Sequence, residues 1–282
     1  MPTLYVVSTP IGNLEDITFR ALRILSEVDV IVAEDTRVTK KLLQKYEIKS
    51  VLESYSNKNI KYKTAKLLGY LEKHDIALVT DAGTPAISDP GKDLVDQAIT
   101  HGFTVVSVPG ASSLTASASI SGLDLSNFLY LGFLPSRSVA RRKTLLSVAN
   151  SIYPLIIFES PHRLKNCLAD MEAILGDRLL VICRELTKVH EEIFRGHITE
   201  AEKYFVHPIG EFTIIVKNEV DDIVKNIDQG VLNVTEELMA TLKRRGLTSK
   251  DVIPYLAKLS KISRKTLYAR WIDLAKCEDS VC

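Results

Sequence analysis

The chain has 282 residues, 46% of them hydrophobic and 25% charged, with a formal net charge of +1. That length exceeds one usual core, so two domains and a small appendage are expected, and no apolar run reaches the roughly 18 residues of a membrane span. Four cysteines without CxxC spacing (Cys167, Cys183, Cys277, Cys282) support neither a disulfide framework nor a zinc site, the histidines lack metal-ligand spacing, and a reduced cytoplasm fits. The start, Met-Pro-Thr-Leu-Tyr-Val-Val, enters a strand at once and leaves no room for a signal peptide.

In chain order, Leu4 to Ser8 reads as a strand, Ile17 to Leu25 as a helix, Val28 to Ala33 as a strand and Arg37 to Tyr46 as a helix. Lys61 to Lys73, Ile76 to Thr80, Lys92 to Thr100, Thr104 to Val108 and Ser112 to Ser121 continue the alternation. Apolar strands between helices predict a parallel sheet covered on both faces, residues 1–122. A turn-prone segment, Gly122 to Asn127, precedes a second α/β unit, residues 123–218, of mixed strand direction. Its strands are Phe128 to Phe133, Leu155 to Phe158, Leu179 to Arg184 and Phe212 to Lys217, and its helices Val139 to Ala149 and His162 to Leu175. An acidic linker, 219–232, leads to residues 233–282, which read as three short helices. Asn233 with Glu236 and Thr248 with Asp251 resemble capping boxes, Gly246 suits a left-handed helix stop, and Ser263 suits a cap. With Arg264, Lys265 and Arg270 on its last helix, this tail is either a helix-turn-helix-like module or a small bundle.

Charge is unevenly spread. From Lys243 to Lys276 there are ten Lys or Arg against Asp251 and Asp273. Lys58, Lys61, Lys63 and Lys66 form one acid-free basic stretch, and Arg137, Arg141, Arg142 and Lys143 another. Each can be a solvated face; three together point to a polyanionic partner.

Three loops follow strands and precede helices. STPIGN, residues 8–13, lacks both GxGxxG and GxxxxGK[ST], although Glu34 and Asp35 stand near the dinucleotide spacing. DAGTPAISDPG, residues 81–91, packs two glycines, two prolines and two aspartates into one turn at a strand end, where open α/β sheets bind ligands. VPGASS, residues 108–113, offers helix-N-terminal amides with Ser112 and Ser113 to a carboxylate or to ribose hydroxyls. The three end with the same polarity and are expected to meet at one crevice.

YVVSTPIGNLEDIT, VIVAEDTRVT, TDAGTPAISDPG, SVPGASSLTAS, LGFLPSR, FESPHRL, CREL and GEFTIIV together resemble the tetrapyrrole-methylase superfamily, the class III methyltransferases, and more narrowly its ribosomal RNA small subunit methyltransferase I branch. The resemblance covers nearly the whole chain; DAGTPAISDPG and FESPHRL are its most specific blocks. It implies two α/β domains with S-adenosylmethionine in a trough between them, and a helix-turn-helix-like tail. It further implies 2′-O-methylation of a cytidine in the decoding region of 16S ribosomal RNA, or of the small (30S) subunit, by a homodimer. Ile11, Thr84, Ile87, Ser112 and Ser113 match positions that touch the cofactor, and Pro10, Gly83 and Pro85 shape its walls. Pro10 and Ile11 stand where the superfamily has a glycine-rich loop. Phe158 and Phe212 flank adenine or belong to the core.

For the chemistry, Asp35 and Glu159 are candidate bases and Arg37, Arg163 and Arg184 candidate phosphate holders, with Asp35–Arg37 and Arg184–Glu185 ion pairs as alternatives. His162 can cap a helix, contact RNA or take part in catalysis. Lys58, Lys61, Arg137, Arg141, Arg142, Arg264 and Lys265 are candidate RNA contacts, and Tyr55 either stacks on a base or packs. Two other functions remain open: methylation of a small tetrapyrrole, and a non-enzymatic nucleic-acid-binding assembly factor.

Overall fold

The computed structural model describes residues 2–55, 60–218, 232, 234–260 and 262–278. Residues 1–218 form one compact unit, and those from Glu219 onward a second. The first unit holds two five-stranded sheets. In the first sheet β1 (Thr3–Val7), β2 (Val30–Ala33), β3 (Val51–Ser54), β4 (Ile76–Val79) and β5 (Thr104–Val108) run parallel in the order β3-β2-β4-β1-β5. Helices α1 (Phe19–Glu27), α2 (Thr36–Lys45), α3 (Ile60–Leu71), α4 (Lys92–Thr100) and α5 (Ser113–Ile120) alternate with these strands.

The sheet is covered on both faces because its strands are apolar throughout. Ile31, Ala33, Ala77 and Val79 pack with Ile24 and Leu25 of α1 and Leu43 of α2. Val30, Val32, Ile76 and Leu78 face the other way, onto Leu67 and Leu71 of α3 and Leu94 of α4. Each Val, Leu or Ile among them contributes about 1.5–3 kcal/mol relative to exposure.

The second sheet is mixed, as expected: β6 (Leu129–Phe133) is parallel to β7 (Leu155–Glu159), while β10 (Phe212–Val216), β8 (Leu179–Arg184) and β9 (Glu192–His197) run antiparallel to their neighbours in the order β6-β7-β10-β8-β9. Helices α6 (Ser138–Val148), α7 (Pro161–Leu175) and α8 (Ile198–Tyr204) cover one face, burying Leu145, Leu164, Leu168 and Ile198 against Leu155, Ile157, Ile182 and Ile214. The period-2 alternation turns Ile156, Val181, Cys183 and Ile215 to the opposite face, where they meet Ile11 and Leu186 with Leu114, Ala116 and Ala118 of α5. That apolar layer joins the two sheets.

The sequence reading lacked β3, β9 and α8; the two strands are sheet edges carrying Glu53, Glu192 and Arg195, which blur the apolar alternation. In the second unit, α9 (234–244), α10 (Ser249–Ser260) and α11 (Arg264–Glu278) pack around Met239, Ile253, Leu256, Leu267 and Trp271. Gly246 has φ +82 between α9 and α10, Asp251 accepts from the Thr248 amide, and the Ser263 hydroxyl accepts from the Thr266 amide at 3.1 Å, so three of the expected stop and cap signals are in place. Asn233 and most of the linker lie outside the described residues. Among those described, no helix is long and apolar enough to cross a membrane.

Candidate active site

The three strand-end loops meet. The Ser8 amide donates to the Val108 carbonyl at 3.2 Å, and Thr9 and Gly83 exchange backbone hydrogen bonds at 2.9 and 3.0 Å. The hydroxyls of Ser8 and Thr84 lie 2.8 Å apart. A Cβ at Gly110 would sit 3.0 Å from that of Ser8, so glycine permits the closest approach. Across the sheets, the Asn13 amide donates to the Thr187 hydroxyl at 3.0 Å, and the hydroxyls of Ser88 and Tyr130 are 2.7 Å apart. Ala86 and Ser88 are held at φ 67 and 62, left-handed backbone that costs a non-glycine residue about 1–3 kcal/mol.

A cleft of about 490 Å³ opens where these loops face the ends of β7, β8 and β10. Ile11, Ile87, Phe133, Phe158, Leu186 and Phe212 supply apolar walls; Ser88, Ser113, Ser160 and Thr213 supply hydroxyl-bearing side chains. Glu34, Asp81, Asp89, Glu159 and Glu211 also line it, and among the described residues no lysine or arginine does. Burial raises Glu34 above the usual carboxylate range, with the charge of Asp81 adding and a hydrogen bond from Thr80 opposing. Burial likewise raises Asp81 against the hydrogen bond from the Asp35 amide. Asp89 is pushed up to about 6, first by burial and then by Glu34. Such a lining disfavours phosphate and favours a cation carrying a flat apolar ring.

Of the residues expected at the cofactor, Ile11, Ile87, Ser113, Phe158 and Phe212 line the cleft. Gly83 and Thr84 knit the loops behind it, and Pro10, Pro85 and Ser112 are not among its lining residues. Phe158 meets Tyr130 and Phe133 edge-on at 5.2 and 5.8 Å. Phe212, 2% exposed, also packs edge-on against Phe205, so it is core and wall at once.

The candidate bases fare differently. Asp35 caps α2 and binds Arg37 through both carboxylate oxygens; hydrogen bonds from the Arg37 side chain and amide hold it down to about 2. Neither residue lines the cleft, so the ion-pair alternative describes them. The Glu159 side chain is wholly buried beneath the wall, accepting from the Ser160 amide at 2.8 Å and paired with Arg163 at 3.1 Å.

Arg141 is a correction. It is 3% exposed, and its Nε donates to Asp170 at 2.7 Å between α6 and α7, so it offers no charge to an outside phosphate. Arg142 also binds Asp170, at 2.6 Å, but leaves half its side chain in solvent. Arg163 is committed to Glu159 and the Leu134 carbonyl, and Arg184 to Glu192, rather than Glu185, and to the Ile209 carbonyl. Lys61, Arg137, Arg264 and Lys265 are exposed, and Lys58 lies outside the described residues. A ring nitrogen of His162 stands 3.4 Å from the Ser160 hydroxyl. Tyr55 is 1% exposed and bonded to Thr64, which makes it core.

The sequence reading missed Glu34, Asp81, Asp89 and Glu211 as cleft residues. Two of them lie inside DAGTPAISDPG, where the neighbouring glycines and prolines make aspartate read as a turn former.

Residues 3–202 match the family model of Tetrapyrrole (Corrin/Porphyrin) Methylases. A ribosomal RNA small subunit methyltransferase I from Halalkalibacterium halodurans is 48% identical over 224 residues, 78% of either chain. One of the same name from Synechocystis sp. is 40% identical over 278 residues, 97% of this chain and 99% of that protein. Among solved structures, the methyltransferase CobJ superposes with a TM-score of 0.60 at 16% identity, over 78% of this chain and 95% of that one. The cobalt precorrin-4 methyltransferase CbiF superposes at 0.59 with 20% identity, over 76% and 94%. At these identities the superpositions establish the fold.

Proposed function

Since the chain belongs to the tetrapyrrole methylase family, in its ribosomal RNA small subunit methyltransferase I branch, we propose that it methylates small-subunit ribosomal RNA, using S-adenosylmethionine as donor. More finely, the acceptor is the 2′ hydroxyl of a cytidine in the decoding region of 16S RNA. The cytoplasm, a homodimer and a ribosomal partner belong to the same reading.

The observation that carries it is the cleft: apolar and carboxylate-lined, with no cationic lining among the described residues. Its donor set fits S-adenosylmethionine, which carries a sulfonium, an ammonium, one carboxylate, an adenine and no phosphate. Ile11, Ile87 and Phe158 would bracket the adenine, while the amides at the N-terminus of α5, beside Ser113, would take the carboxylate. Glu34 and Asp81 would answer the positive charges. When bound, the donor supplies an electrophilic methyl group on positive sulfur. The chain would hold that group in line with a ribose oxygen.

Exposed Lys61, Arg137 and Arg142 suit phosphates of a folded RNA, from which one nucleotide is extruded into the cleft. Arg264 and Lys265 are exposed basic residues of the helical unit, read as a helix-turn-helix-like module. The tetrapyrrole reading rests on the broad family model and on fold likeness.

The test is transfer from methyl-labelled donor to isolated small subunits, followed by digestion to nucleosides. Label in 2′-O-methylcytidine is expected; label in a base, or none in RNA, refutes the finer or the whole assignment respectively.

A further inference from the structure

We propose that Asp89 is the group that accepts the proton of the acceptor hydroxyl, a role that rests on the methyl-transfer reading above. Four other carboxylates line the cleft; three are tied to a backbone amide or a cation, and Glu34 shares the Thr80 hydroxyl with Asp89. Asp81 accepts from the Asp35 amide at 2.9 Å, and Glu34 from the Thr80 hydroxyl at 3.2 Å. Glu159 is buried with Arg163, and Glu211 pairs with Lys188 at 2.8 Å. Among the described residues no cation is paired with Asp89.

The backbone fixes Asp89 from both sides. Ser88 before it is left-handed at φ 62 with its hydroxyl on Tyr130, and Ala86 is left-handed at φ 67. Gly91 after it has φ 132, and a Cβ there would stand 2.8 Å from Leu78 Cδ2. A plain connection has no need of two strained non-glycine residues; a loop that must present one side chain does.

The chemistry suits the position. Burial and Glu34 push Asp89 up to about 6, with Thr80 opposing and Asp81 and Glu211 adding. Tyr130 is the other titratable group facing it. A base works best with a pKa near the working pH, whereas Asp35, near 2, holds its proton far too weakly. As the ribose oxygen bonds to the methyl carbon, its proton passes to an Oδ of Asp89. The electron pair of the breaking carbon–sulfur bond stays on sulfur, which leaves neutral. One carboxylate charge and one sulfonium charge vanish together, and Asp89 later releases its proton to water.

The experiment compares wild type, Asp89→Asn and Asp89→Glu on isolated small subunits at saturating donor, with donor affinity measured by calorimetry. Wild-type turnover is expected to rise with pH to a plateau. Asp89→Asn should bind donor with affinity near wild type, lose about 10²–10⁴-fold in plateau turnover and lose the rising limb. Asp89→Glu should recover part of both, which separates lost chemistry from a damaged fold. Asn turnover near the wild-type rate overturns the assignment and leaves the methyltransferase reading standing; so does a defect confined to donor affinity. A wild type that transfers no methyl overturns the reading itself, and the proton acceptor with it.

Discussion

Replacing Asp170 by Ala should destabilise the first unit severely without touching the cleft. Asp170 is 3% exposed and accepts from Arg141 at 2.7 Å, from Arg142 at 2.6 Å and from the Ser138 hydroxyl at 3.0 Å. Burial alone raises its pKa, but the hydrogen bonds from Arg142, Ser138 and Arg141 outweigh that and hold it below the usual range. Arg142 can turn to solvent when the carboxylate is gone; Arg141, 4% exposed at its side chain, cannot, and keeps only the Ser136 and Asn166 carbonyls. Breaking one side of a buried pair costs about 3–5 kcal/mol. At roughly 2–4 °C per kcal/mol for a unit of this size, the melting temperature should fall by about 6–20 °C. Because the folded pKa is depressed, this stability is present above the unfolded value near 4 and is lost as pH falls through the folded one. Paired melts of wild type and Asp170→Ala should therefore converge in strong acid. A fall of under about 3 °C at pH 7 would refute the reasoning, since Arg141 would then be relaxing freely into solvent.

The remaining expectations concern backbone, cofactor and RNA. At Gly12 a Cβ would lie 2.5 Å from Lys188 Cγ and 2.7 Å from the Thr187 hydroxyl, so Gly12→Ala should cost about 1–3 kcal/mol by denaturant titration. Nothing lies within 4 Å of a Cβ at Gly69 on α3, so Gly69→Ala should instead stabilise by up to about 1 kcal/mol; a loss there contradicts the helical placement. S-adenosylmethionine at a hundred times its dissociation constant should stabilise the fold by about 2.7 kcal/mol, and no thermal shift removes the donor assignment. Arg137→Ala should lower the slope of RNA affinity against salt by about one, and an unchanged slope clears it of phosphate contact.

What the sequence made legible follows from burial. β2 and β4 are apolar at every position and buried throughout, so their pattern admits no other reading. β3 and β9 lie at sheet edges with half-exposed faces, and there Glu53 answers Lys66 while Glu192 answers Arg184. A run of charge looks the same whether it ends in water or in an ion pair. The distinction was available for α6, however: Arg141 stands one turn before Leu145, and both belong to its buried stripe, while Arg142 lies a hundred degrees around the helix.

The same logic separates Glu34 from Asp35 at the end of β2. Asp is favoured immediately before a helix, where its oxygen answers an orphan amide, and Asp35 does that for Arg37 at 2.8 Å. The capping rule, applied to the helix starting at Thr36, assigns Asp35 to the helix and leaves Glu34 for the cleft, where the structure puts it. No comparable rule reaches Asp89. It sits among left-handed residues: the Ser88 hydroxyl meets that of Tyr130, 42 residues on, and a Cβ at Gly91 would strike Leu78. Its direction is a tertiary fact, and the residue whose placement local pattern cannot specify is the cleft carboxylate that burial pushes up to about 6.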